Sequence, residues 1–146
     1  MIETALKIIE KAFAGKTDKA GQPYINHLTR VSESCPNIGV NNEVKVIALL
    51  HDILEDCPEW NEKALRTFFT DGVVESVIAL THKKGQTYHQ YISQVLEDGW
   101  ATIVKKHDLE DNMNITRLKE LTKEDLERLK KYHDAYVRIV AATEFS

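Results

Sequence analysis

The sequence predicts an all-α fold, and three observations carry the prediction. The chain has only three prolines and six glycines, and they fall between the periodic stretches. Those stretches space their apolar residues as a helix does, once every three or four positions. Helix-start residues stand at the boundaries: Pro23, Pro58 and Thr122 each precede such a stretch.

Taken in order, Thr4 to Ala14 carries apolar residues at 5, 6, 8, 9, 12 and 13, a stripe along one helix face. GKTDKAGQP, Gly15 to Pro23, is a loop rich in Gly and Lys. Pro23 then suits the first turn of a helix running through YINHLTRVSES, ended by Cys35-Pro36 and the stretch from Asn37 to Asn42. A third helix is expected from about Asn42 to Asp56, and a fourth from Pro58 through WNEKALRTFF. Asp71-Gly72 reads as a break before the short helix VVESVIALTH, and HKKGQT as a second basic loop. Tyr88 to Glu97 is helical, Asp98-Gly99 a turn, and Ala101 to Asn114 a further helix. In TKED, Thr122 and the acid three residues on form a capping box in its Asp variant. That last helix runs to about Ala142. No repeat, low-complexity tract or linker divides residues 1–146, which read as one domain.

The bulk numbers remove several classes of function. A chain of 146 residues is long enough for a real core. At 42% hydrophobic and 29% charged it has the composition of a soluble protein. A formal charge of −4 without a large basic block argues against duplex nucleic acid, whose affinity comes largely from Lys and Arg on phosphates. A local basic pocket for a small phosphorylated ligand remains open. Cys35 and Cys57 form no CxxC pair, which points to a reducing compartment and no disulfide framework. MIETALKIIEKAF has acidic residues and amphipathic spacing, unlike a signal peptide. No apolar run approaches the ~20 residues of a membrane span. A cytoplasmic location is the expectation.

Against this background two helices break their own pattern. In ALLHDILEDC, Ala48 to Cys57, an apolar run is interrupted by His51, Asp52, Glu55 and Asp56. Val44 to Leu54 is apolar almost all round, so this helix should be central, where unpaired charge is costly. His51 and Glu55 are four apart, as are Asp52 and Asp56, so each pair shares a face. In VKKHDLEDNMNITRL the inward stripe passes through His107, Asp108, Asp111 and Asn112. His27, between Tyr24-Ile25 and Leu28-Val31, adds an inward polar residue on a third helix. A shared divalent cation accounts for all three. Adjacent helical residues point about 100° apart, so His51 and Asp52 can both bind only at a helix end or a crevice. Two imidazoles and two carboxylates suit Mn²⁺, Fe²⁺, Co²⁺ or Zn²⁺.

Each residue alone has a plainer explanation. A single His27 is more often a hydrogen-bonded core histidine, an HD dipeptide arises by chance, and Lys83-Lys84 is usually a solvated loop. The ordered set of His27, then His51-Asp52 with Glu55-Asp56, then Asp108 with Asn112, is what shifts the balance.

That ordered set resembles the HD superfamily of metal-dependent phosphohydrolases. DKAGQPYINHL, ALLHDILEDC and VKKHDLEDNMNITRL are similar, more narrowly, to the hydrolase domain of RelA/SpoT-type proteins and to small stand-alone alarmone hydrolases, which remove pyrophosphate from the 3′ position of ppGpp. The likeness runs from about Ile8 to Tyr136. It implies a helical HD-domain bundle with a buried metal site, liganded by His27, His51, Asp52 and Asp108, with Mn²⁺ the usual ion. It implies that Glu55 and Asp56 act on the attacking water. It implies nucleotide contacts from Lys19, Tyr24, Asn112, Arg128 and Tyr132, and a phosphate-binding lysine from Lys83 or Lys84.

The sequence also departs from the family. Asp18-Lys19 stands where Arg-Lys is frequent. Asp108-Leu109-Glu110-Asp111-Asn112-Met113 lacks the usual Arg and adds an acid. Lys106-His107 replaces a usually apolar-small pair. These departures bear on the substrate and leave the metal set whole. Two alternatives stay open: an HD phosphohydrolase of another nucleotide or of NADPH, and a metal-containing nucleotide sensor without turnover.

Overall fold

The computed structural model describes residues 1–144. Nine α-helices follow one another among the described residues: α1 Ile2–Ala12, α2 Ile25–Ser34, α3 Glu43–Leu50, α4 Ile53–Asp56, α5 Glu62–Phe68, α6 Asp71–Ala79, α7 Tyr88–Leu96, α8 Gly99–Asn112 and α9 Lys123–Thr143. A 3-10 turn, Ile115–Arg117, joins α8 to α9. No strand is present among the described residues beyond a single antiparallel bridge between Thr17 and Pro23.

Helix α3 is the hub. It packs against α1, α2, α6 and α8. Val44, Val46, Ile47, Ala48, Leu49 and Leu50 are all buried, so it is apolar on nearly every side, as a surrounded helix must be. Each of its larger side chains contributes roughly 1.5–3 kcal/mol by leaving water. The remaining core comes from Ala5 and Ile9 of α1, Leu28 and Val31 of α2, Val73 and Val77 of α6, and Val104 and Leu109 of α8.

The expected third helix is in fact two. It stops at Leu50, and Ile53 begins α4. No Gly or Pro marks the break. His51 keeps helical dihedrals, and its ring Nδ1 turns back 2.6 Å from the Ala48 carbonyl. Asp52 lies at φ −101, ψ 0. His51 and Asp52 therefore sit at a helix end, the geometry that lets neighbours face one point.

Other boundaries shift for local reasons. Pro23 lies before α2, in the bridge, and the helix begins at Ile25. Pro58 occupies a turn closed by the Trp60 N–H on the Cys57 carbonyl at 3.0 Å. Helix α5 starts later, where the Asn61 side chain accepts from Ala64 N–H. Asp71-Gly72 is the first turn of α6, not a break, and the extended residues Phe69 and Thr70 separate α6 from α5. A Cβ on Gly72 would come 3.4 Å from the Trp100 ring, an ordinary van der Waals contact. Asp98 caps α8, accepting from Ala101 N–H and from the Ser76 hydroxyl, so that helix starts at Gly99. Thr122 and Asp125 form the expected capping box at the start of α9.

Candidate active site

Three helices bring His27, His51 and Asp108 together. One ligand atom from each lies within 4.8 Å of the others, and all three residues are buried. Asp108 Oδ1 is 2.9 Å from His27 Nε2 and 3.2 Å from His51 Nε2. Asp52 Oδ2 completes the group, 3.1 Å from His51 Nε2 and 3.9 Å from His27 Nε2.

The donor set fits a divalent cation. A metal-binding imidazole normally gives its other nitrogen to an acceptor. His51 Nδ1 meets the Ala48 carbonyl, and His27 Nδ1 lies 2.7 Å from Asp111 Oδ2. Both Nε2 atoms are thereby turned to the same point. His27 Nε2 is buried without an aligned hydrogen-bond partner, although Asp108 Oδ1 is close. A buried polar nitrogen left this way costs free energy unless a ligand takes it up.

Charge reinforces the geometry. Burial alone would lower the imidazole pKa of His27, but Asp108 and Asp111 outweigh it and push the value up to about 9. Burial likewise disfavours a charged His51, and Asp52 with Asp108 raise it well above the ordinary histidine range. Burial would raise Asp108, yet Lys105 and His51 hold it well below the usual carboxylate range. These carboxylates favour positive charge at the two imidazoles, whether proton or metal.

The neighbouring residues hold this group in place. Tyr24 donates its hydroxyl to Asp52 Oδ2 at 2.6 Å. Asn112 Nδ2 donates to Asp108 Oδ1 at 3.1 Å, one turn along α8. Lys105 is buried and donates to Asp108 Oδ2 at 2.9 Å, with its ammonium 5.0 Å from the Tyr91 ring centre. Glu55 and Asp56 lie one turn beyond Asp52, exposed at the cleft edge. Glu55 accepts the His82 backbone N–H, which ties α4 to the loop before α7. Burial of part of each side chain, with Asp52 adding to the effect, raises both carboxyls above their ordinary pKa.

The group forms the floor of a cleft of about 610 Å³. Lys19, Arg128 and Tyr132 also line it. Lys19 sits in the loop before α2, where Asp18 accepts the N–H groups of Ala20 and Gln22, both at 2.9 Å. Asp18 thus holds the loop. Burial, and after it the nearby Arg128, lowers the Lys19 pKa. Arg128 pairs with Asp125. Lys83 and Lys84 do not line this cleft. They border a more open one with Leu54, Glu55, Asp56 and Gln86.

Four cations outside the expected set of site residues line the main cleft: Arg30, Lys105, Arg117 and Lys131. Lys131 lies 4.7 Å above the Tyr88 ring and 5.3 Å from that of Tyr132. Three of the four carry a readable signal in their spacing. Arg30 is three after His27, Lys105 three before Asp108 and Lys131 three after Arg128, each pair on one helix face. Arg117 has no such periodicity, because it belongs to the turn after α8.

Comparison with known proteins agrees with this arrangement. The HD domain family matches residues 5–143. The chain is 26% identical over 125 residues to the probable GTP pyrophosphokinase of Mycobacterium leprae, covering 80% of this chain and 16% of that protein. It is 26% identical over 139 residues to the guanosine-3′,5′-bis(diphosphate) 3′-pyrophosphohydrolase of Aquifex aeolicus, covering 86% of this chain and 20% of that one. It is 34% identical over 70 residues to the Haemophilus influenzae protein of the same name, covering 48% and 10%. The chain therefore spans a fifth or less of the length of these relatives.

Proposed function

Because the chain belongs to the HD domain family of metal-dependent phosphohydrolases, we propose that it hydrolyses a phosphorylated nucleotide, and specifically removes pyrophosphate from the 3′ position of guanosine 3′,5′-bis(diphosphate). One observation carries the reading. Two imidazoles and a carboxylate converge, buried, at the floor of a cleft whose edges offer a carboxylate pair and several cations.

His27, His51 and Asp108, with Asp52, would hold the ion, and Mn²⁺ is the proposed one. When bound, a divalent cation there lowers the pKa of a water and polarises a phosphoryl oxygen. The rest is work for side chains. Glu55 and Asp56 orient the attacking water and one of the two takes its proton, a role that suits carboxyls with raised proton affinity. Tyr24 and Lys105 keep Asp52 and Asp108 in place through their hydrogen bonds. Lys19, Arg128 and Lys131 neutralise phosphate charge, with Arg able to make a bidentate contact. Tyr132 offers its ring to the nucleoside.

The two buried, unpaired thiols, Cys35 and Cys57, support a reducing, cytoplasmic setting. Among the described residues, no helix is long and apolar enough to cross a membrane.

The test is pyrophosphate release from ppGpp by Mn²⁺-loaded protein, beside nucleoside monophosphates and NADPH. Turnover of ppGpp that is lost on chelation is the expected result. Turnover of another phosphate ester alone would keep the mechanism and discard the substrate. Metal binding without any turnover would favour a sensor, a reading that leaves the paired acids Glu55 and Asp56 without a task.

A further inference from the structure

The mechanism above leaves Arg30 and Arg117 unused. Both line the main cleft, Arg30 from α2 and Arg117 from the turn after α8. The side chains are 34% and 30% exposed, so neither guanidinium is sealed in the interior.

Both converge on one carboxylate. Arg30 donates Nε to Asp111 Oδ1 at 2.9 Å and Nη2 to Oδ2 at 3.1 Å. Arg117 donates Nη2 to the Asp111 carbonyl at 2.9 Å and to Oδ1 at 3.2 Å. A guanidinium carries five N–H donors. Nη1 of Arg30, with Nε and Nη1 of Arg117, makes no hydrogen bond to any described residue. Two positive charges face one negative charge, and the corner keeps a net positive charge with unused donors.

The corner's position gives that charge a purpose. Asp111 Oδ2 is also the partner of His27 Nδ1 at 2.7 Å. The two arginines are thus one carboxylate and one imidazole away from the metal centre. Lys19, Arg128 and Lys131 belong to other elements, the loop before α2 and helix α9.

We propose that Arg30 and Arg117 form a subsite for the far phosphate of a diphosphate group whose near phosphate lies at the metal centre. This rests on the phosphohydrolase reading and sharpens it: the cleft is built to release pyrophosphate rather than single phosphate. Guanidinium N–H groups make strong, directional hydrogen bonds to phosphate oxygens, and the free Nη1 of Arg30 with the free Nε and Nη1 of Arg117 leaves donors on both side chains. Asp111 holds two mutually repelling cations side by side and leaves their outer donors for the ligand.

The experiment is calorimetric titration of inorganic pyrophosphate and inorganic phosphate into protein loaded with Mn²⁺ and freed of excess ion. Wild type is compared with Arg117→Gln and Arg117→Lys. Arg117 is chosen because Arg30 then keeps its two-point grip on Asp111. Wild type should bind pyrophosphate about 10–100-fold more tightly than phosphate, the range for hydrogen bonds to a charged group. Arg117→Gln should lose most of that preference with its Mn²⁺ content unchanged, and Arg117→Lys should fall between. Equal binding of both anions by wild type overturns the proposal. So does a wild-type preference in Arg117→Gln or, should that variant lose its metal, an undiminished preference in Arg117→Lys. Binding of a product anion needs no turnover, so a wild type that hydrolyses no nucleotide would strike the proposed function and leave this result readable.

Discussion

The floor and the edges of the cleft are built on different terms. On the floor, His27, His51, Lys105 and Asp108 are buried, and almost every polar atom has a protein partner. At the edges, Lys19, Glu55, Asp56 and Lys131 are exposed, and like charges crowd one another. The floor is part of the core, and its chemistry cannot be altered without disturbing the packing. The edges are held by the loop before α2, the short helix α4 and one face of α9, and can change while the fold stands. Fold stability and metal retention should therefore answer to the floor, and substrate affinity to the edges.

The largest effect expected is at Asp108. Asp108→Ala removes a ligand and leaves the Lys105 ammonium buried and unpaired, a loss of about 3–5 kcal/mol by analogy with broken buried pairs. Metal content and hydrolysis should vanish and the thermal midpoint should drop. A variant that kept its metal would abolish the distinction between the two regions. Asp52→Ala comes next: Asp52 is the most accessible of the four candidate ligands, so metal and turnover should be lost with a smaller change in melting. Retention of both would remove Asp52 from the site.

Glu55→Gln and Asp56→Asn probe the boundary between the regions. Each should lower kcat by roughly 10²–10⁴-fold, the usual scale for a general base, with Mn²⁺ still bound. Lost metal would move that residue into the floor. A pH series sharpens the contrast further. His27 is raised to about 9 from 6.5, so its charged form favours the metal-free fold. That stability is fully present below pH 6.5 and lost as pH rises through about 9. An imidazole must shed its proton to bind a metal, so Mn²⁺ affinity should rise over the same interval and then level off. Calorimetry across that range reads it, and affinity independent of pH would contradict the assignment of His27 as a ligand. The smallest effects belong to the edge. Lys131→Ala should raise the KM of a phosphorylated substrate by roughly 10-fold and shift stability by no more than ~0.5 kcal/mol.

Much of this was legible in the sequence. The helices announce themselves through period and capping, and TKED is read correctly because a capping box depends only on residues three apart. His27, His51 and Asp108 stand out because each is polar where its stripe should be apolar. What escaped was decided by tertiary context. The α3–α4 break follows no Gly or Pro; the apolar run continues through Ile53 and Leu54. Pro58 and Asp71-Gly72 suit a turn and a helix start equally well, and packing chooses between them. Arg30 and Arg117 look like ordinary solvated cations until the fold gathers them around Asp111, 81 and 6 positions away.

The break between His51 and Asp52 has a consequence in time as well as in space. Helix α4 is four residues long, too short to persist by itself, and closes on two hydrogen bonds: Asp56 N–H to the Asp52 carbonyl at 3.0 Å and Cys57 N–H to the Ile53 carbonyl at 3.1 Å. Its first carbonyl belongs to a candidate metal ligand. Loading the site should therefore slow deuterium uptake at the amides of Asp56 and Cys57 more than at those of α5, and the helix that carries the water-activating acids would acquire its lifetime from the ion beneath it.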